Sequence, residues 1–204
     1  MKPDSFLTRF AFVALAATLL SGCLFKTTTA PVRHFLLAPI STNEPIASTE
    51  RLSIGIAFVK MPPYLLRDSL AVRNGANEIE YLEGSLWGER LDQSFQRTLV
   101  ANLSRLLDSD SIYSSDWTRN QVMERVFINV ERFDVDIHGH GTLIAHWRIS
   151  PRDGEVPLKS GTARLTRTGP SANAEAIALT LSELLGEFSH GLAQSIRENA
   201  KNLK

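Results

Sequence analysis

The chain has 204 residues, with 22 Lys and Arg set against 22 Asp and Glu, and a single cysteine. Balanced charge with no basic block excludes the clustered cationic face that nucleic-acid binding needs. One cysteine excludes an intrachain disulfide, so packing alone must hold the fold.

Residues 1–22 read as a leader. Lys2 and Arg9 form a positive start, and residues 10–20 are an apolar run. As a helix that run is about 16 Å long against about 30 Å of bilayer hydrocarbon, too short to span stably. Ser21 and Gly22 supply the small residues of a cleavage site, and Cys23 follows directly. Leu20-Ser21-Gly22-Cys23 resembles the bacterial lipobox, Leu-[Ala/Ser]-[Gly/Ala]-Cys, which implies cleavage before Cys23 and acylation of its thiol. Burying acyl chains contributes about 0.8 kcal/mol per CH₂, so two or more chains anchor stably. Leu24 stands where an Asp would resemble the inner-membrane retention signal, so the resemblance points to the outer membrane and its periplasmic face. Covalent lipid on Cys23 is the only added group expected, with no cofactor.

Removing the leader leaves 182 residues, 20 of them basic and 21 acidic, a size that suits one well-buried domain. The expected organisation is a signal peptide at 1–22, a lipidated tether at 23–32 and a single domain at 33–204. The polar, proline-terminated stretch 25–31 can reach roughly 20–25 Å at about 3.3 Å per residue. No later stretch is apolar for the 18 or so residues of a transmembrane helix.

Within the domain, residues 33–37 predict a first strand. Residues 52–59 alternate, placing Leu52, Ile54, Ile56 and Phe58 on one face, and Pro62-Pro63 ends the run. Residues 69–73 and 78–82 flank Asn74-Gly75, a strong hairpin signal because both residues tolerate positive φ. From Leu86 the period becomes helical: Trp87, Leu91, Phe95, Leu99 and Leu103 recur every fourth residue, and Leu106 closes the stripe. In residues 122–150, Val126, Ile128 and Val130 hold one phase while Phe133, Val135 and Ile137 hold the other. A bulge near Glu131-Arg132 is therefore required to keep both sets inside. A turn at Gly139 and Gly141 leads into Leu143, Ala145, Trp147 and Ile149, and residues 156–167 predict a further strand. A second helix opens near Ser171, with Ile177, Leu181, Leu184, Leu185, Phe188, Leu192 and Ile196 as its apolar stripe. This order predicts an α+β fold, a mostly antiparallel β-sheet with two long amphipathic helices packed on one face.

Catalytic chemistry is poorly represented. His138 and His140 with Asp134 and Asp136 bracket a glycine-rich turn, but the two imidazoles share a side only if a strand persists through both glycines. No third ligand has suitable spacing, so a solvated turn is expected and no metal is assigned. Neither a Gly-x-Ser-x-Gly elbow nor a phosphate-cradling glycine pattern occurs. No catalytic residue is assigned and the chain reads as non-enzymatic. Met61-Pro62-Pro63-Tyr64-Leu65-Leu66 is different, because it places large apolar groups where a loop is ordinarily polar. Such a rim is either core or a surface for another chain. Tyr64, Leu65, Leu66 and Trp87 are the candidate partner contacts.

These motifs, in this order, resemble the ABC-type transport auxiliary lipoprotein family, the PqiC-like or paraquat-inducible lipoproteins. Arg33-His34-Phe35-Leu36-Leu37 stands where the family has a Tyr-Tyr-Leu-Leu-like strand. Met61 to Arg67 with Leu70 to Arg73 is similar to Leu-Pro-x-Tyr-Leu-Asp-Arg followed by a short apolar strand, with Leu66 in place of the Asp. Trp87-Gly88-Glu89-Arg90-Leu91 and Asn102-Leu103 resemble a Trp-Ala-Glu-x-Leu helix ending in Asn-Leu. Arg132-Phe133-Asp134 and Leu143 to Trp147 match Arg-Phe-Glu and Leu-x-Ala-x-Trp. The resemblance implies an auxiliary docking component of an MCE-domain (mammalian-cell-entry) intermembrane lipid transport system, partnered by the MCE protein with its permease and ATPase, and a homo-oligomeric ring. The alternative is a structural or assembly lipoprotein of the envelope without a transported ligand.

Overall fold

The computed structural model describes residues 31–39, 52–114, 117–154 and 156–202. The leader, Cys23 and most of the tether lie outside them. The chain divides into two compact units, Met1–Pro31 and Val32–Lys204, and every strand and long helix among the described residues belongs to the second. These are β1 (Arg33–Phe35), β2 (Ile54–Ile56), β3 (Ser69–Asn74), β4 (Glu78–Trp87), α1 (Leu91–Leu106), β5 (Ile112–Tyr113), β6 (Glu124–Asp136), β7 (His140–Pro151), β8 (Lys159–Thr168) and α2 (Ala174–Asn202). The fold is α+β, in the order the periodicity predicts.

The long strand β6 is the spine of one mixed sheet. One edge pairs antiparallel with β7 from Glu124↔Pro151 to Val135↔Gly141, and β7 pairs antiparallel with β8. Its other edge is shared: β2 lies parallel at the start, Ile54↔Glu124, and β3 lies parallel at the end, Val72↔Val135. Lys60 bridges to Asn129 between them. β4 is antiparallel to β3, with β1 parallel to β4 and β5 parallel to β2. The three long ladders are antiparallel as predicted. The short pairs at β2 and β3 are parallel because α1 intervenes, so the chain re-enters the sheet running the same way as before.

The bulge is where the alternating phases require it. Pairing of β6 with β7 shifts between Val130 and Arg132, leaving Glu131 as the extra residue. Val126, Ile128, Val130, Phe133 and Val135 are consequently all buried on one face. Both helices cover that face. Phe95 of α1 meets Phe133 edge-on at 5.2 Å between ring centroids and Phe188 of α2 at 6.1 Å, a centre of aromatic packing shared by the sheet and both helices. The full stripes Leu91 to Leu106 and Ile177 to Ile196 are buried with it.

Several polar groups inside this core pair across elements. Gln96 Nε2 donates to the carbonyls of Ile56 and Ala57 at 2.9 and 3.0 Å, tying α1 to the end of β2. Asn102 Nδ2 donates to Ser189 Oγ at 3.0 Å across the two helices. Asn173 caps α2, its Oδ1 accepting the Ala176 N–H at 2.9 Å. The Asn74-Gly75 hairpin forms between β3 and β4, with Gly75 at φ +77°, a conformation glycine adopts without a Cβ clash.

Four expectations shift. Phe58 does not join Ile54 and Ile56: it is 79% exposed, and Val59 and Met61 are buried instead. The chain leaves regular strand after Ile56 and rejoins β6 only at Lys60, which changes the inward phase. Trp87 closes β4 rather than opening the helix, which starts at Leu91. Ile137 lies past the end of β6 and is exposed, and Val156 is exposed ahead of β8.

Candidate functional site

The Met61–Leu66 segment turns tightly, with a 3-10 turn over Pro63–Leu66 that has Pro at its first position, where the missing N–H costs nothing. Tyr64, Leu65 and Leu66 are brought together on it, and Trp87 adjoins them, since its N–H donates to the Asp68 carbonyl at 2.6 Å. Their side chains then diverge. Leu65 and Trp87 are packed in the domain's own core, while Tyr64 and Leu66 are half-buried. The accessible part of the predicted contact is therefore Leu66 and the edge of Tyr64.

Tyr64 is held by a buried ion cluster that residue spacing did not reveal. Its hydroxyl donates to Asp134 Oδ2 at 2.8 Å, Arg73 Nη2 donates to the same oxygen at 2.7 Å, and Arg132 Nε donates to Oδ1 at 2.8 Å. The Asp134 side chain is fully buried. Burial alone raises its carboxyl, but the bonds from Arg73, Arg132 and Tyr64 outweigh that and hold it below the ordinary carboxylate range. Burial, then the Asp134 charge, push the Tyr64 hydroxyl well above the usual tyrosine value. Tyr81 Oη completes the turn by donating to the Tyr64 carbonyl at 3.1 Å.

The His138-Gly-His140 turn uses its other carboxylate separately. Asp136 Oδ1 accepts the backbone N–H groups of His138 and His140 at 2.8 and 2.9 Å. Asp134 is committed to the arginines, so the two carboxylates do not converge on the imidazoles. Among the described residues, no group of three or more His, Cys, Asp or Glu is placed to hold a metal ion.

The sheet face away from the helices carries a groove of about 620 Å³. Strand alternation builds it. Phe127, Arg148 and Ser160 stand in register across β6, β7 and β8, as do Asn129, His146 and Thr162 in the next row. All six line it, with Phe58 and Lys60 from the β2 side. Arg148 Cζ lies 4.5 Å from the Phe127 ring centroid and Arg125 Cζ 5.5 Å, so two guanidiniums flank one ring. His146 is held by Glu131 at 2.8 Å and Thr162 at 2.9 Å. On the helix side of the same strands, a Cβ at Gly161 would stand 2.6 Å from Trp147 Cζ2, so the indole lies where only glycine leaves room. The groove escapes sequence reasoning because its residues come from separate strands. The one local signal is Phe127, a large aromatic on the outward phase between buried Val126 and Ile128.

An α+β domain with its helices on one sheet face and a basic, aromatic groove on the other assembles the chemistry of binding. The chain belongs to the ABC-type transport auxiliary lipoprotein component family, whose model matches residues 35–193, a family of transport components rather than of enzymes. No curated protein matches the sequence. Among solved structures, protein XCC0632 from Xanthomonas campestris is similar at 14% identity and a TM-score of 0.72, over 83% of this chain and 97% of that one. An uncharacterized protein is similar at 19% identity and a TM-score of 0.62, over 75% and 99%. At these identities the likeness is one of fold.

Proposed function

We propose that the protein is an outer-membrane lipoprotein of the periplasmic face, anchored through lipid on Cys23, that acts without catalysis as the docking component of an MCE-domain, ABC-type intermembrane lipid transport system. The observation that carries this reading is the family match over residues 35–193. The lipobox at Leu20 to Cys23, with Leu24 after it, supports the anchor and its membrane. Tyr64 and Leu66 supply the contact with the MCE partner, braced from inside by Leu65 and Trp87, and several copies assemble as a ring around it.

The test is copurification of the full chain with the MCE protein from membranes, read by mass spectrometry, with native mass spectrometry of the captured assembly. Stable capture is expected, weakened by Leu66→Asp, with a homo-oligomer in the complex. A wild-type chain that captures no MCE partner overturns the docking role and favours an assembly lipoprotein.

A further inference from the structure

The groove on the open sheet face has cations without counter-charges. Several arginines of the domain are paired with carboxylates: Arg73 and Arg132 with Asp134, Arg97 with Glu89, and Arg167 with Glu183. Lys60 and Arg148 both line the groove, and neither has a carboxylate partner among the described residues. Glu131, two residues after Asn129 on the same strand, is engaged with His146. The Phe127 ring holds the Arg148 guanidinium in a cation–π contact at 4.5 Å, and a guanidinium's N–H donors are suited to an oxyanion.

The rest of the groove is apolar or neutral. Phe58 is 79% exposed beside it, and Phe127 forms part of its wall. Asn129, Ser160 and Thr162 line it with uncharged polar groups. Its volume falls in the range of small-molecule sites, roughly 300–1,000 Å³. Two unpaired cations next to exposed aromatic surface complement a ligand with an anionic end and an apolar end.

We propose that this groove binds one anionic phospholipid molecule, its phosphate between Lys60 and Arg148 and its glycerol and first acyl carbons against Phe127 and Phe58. The proposal deepens the transport reading and rests on it for the source of the lipid. Two cations are too few to track a nucleic-acid backbone, and charge complementarity favours a phosphate-bearing amphiphile over a neutral one.

The test uses the full chain in a non-ionic detergent, titrated with short-chain dihexanoyl phosphatidylglycerol and followed by calorimetry. Saturable one-to-one binding is expected, weakened about tenfold or more by Arg148→Glu and by Lys60→Glu, with melting curves unchanged because both side chains are exposed. Phe58→Ser should weaken it as well, and inorganic phosphate at millimolar concentration should not compete. Equal affinity in the charge-reversed variants overturns the proposal. Displacement by phosphate alone overturns it in favour of a simple anion site. Loss of self-association in those variants with lipid binding unaltered reassigns the groove to a second copy of the chain. The MCE capture assay is read in parallel: capture without lipid binding sinks the groove proposal and leaves docking standing, and lipid binding without capture does the reverse.

Discussion

Asp134 is a buried charge that earns its place through its partners. Removing it leaves Arg73, Arg132 and the Tyr64 hydroxyl facing one another across an empty site, so Asp134→Ala should destabilise the domain by about 3–5 kcal/mol in urea unfolding. Its folded pKa lies below the unfolded value of about 3.9, so its stabilisation is present above that value and lost as pH falls through the folded one. Acid melting of Asp134→Asn should therefore lack that part of the wild-type slope. Glu124 has the opposite sign. It is buried, Oε1 accepts from Asn199 Nδ2 at 2.8 Å, and Oε2 has no partner. Burial raises its carboxyl above the ordinary range despite the Asn199 bond. Stability from this group is complete below the unfolded value of about 4.3 and is lost as pH rises through the folded one. Melting temperatures should show Glu124→Gln gaining on the wild type between about pH 4 and pH 7; an unchanged difference across that window would show that the carboxyl is not perturbed. Neither carboxylate's environment is legible in the sequence, because two of the three partners of Asp134 come from β3 and the Tyr64 turn and the partner of Glu124 comes from α2.

At the scale of elements, the bulge in β6 was legible because a period of two tolerates no compromise: Val130 and Phe133 are both buried only if one residue between them is skipped. Deleting Glu131 should turn either half of the strand's apolar set outward. Circular dichroism should then show a chain that fails to melt cooperatively, whereas Glu131→Ala should melt close to wild type. Gly161 makes a complementary case on β8. Gly161→Ala drives a Cβ into Trp147, with an expected cost of about 1–3 kcal/mol and altered tryptophan fluorescence. Apart from Trp87, every residue read into the helical stripes is buried on its helix, because the stripes span several turns. Phe58 was misplaced because its strand is only three residues long, and alternation continued past Ile56 only on paper.

For the whole molecule, the proposed anchor at Cys23 and the folded domain fall in different units of the chain. The compact unit Val32–Lys204 contains every strand and long helix among the described residues, so Cys23→Ser should shift the protein from the membrane to the soluble fraction while its melting temperature stays the same. A variant that remains with membranes would overturn anchoring through Cys23. Among the described residues no helix is long and apolar enough to cross a membrane.

Element order, the two buried helix faces, the bulge and the family resemblance could all be read from the chain, since each is carried by neighbours along it. Tertiary structure decided which apolar groups stay accessible, where buried charge is neutralised, and that Lys60, Phe127 and Arg148 share a groove. Those outcomes depend on β2, β6 and β7 lying side by side, and pairing between strands far apart in sequence leaves no periodic trace in any one of them.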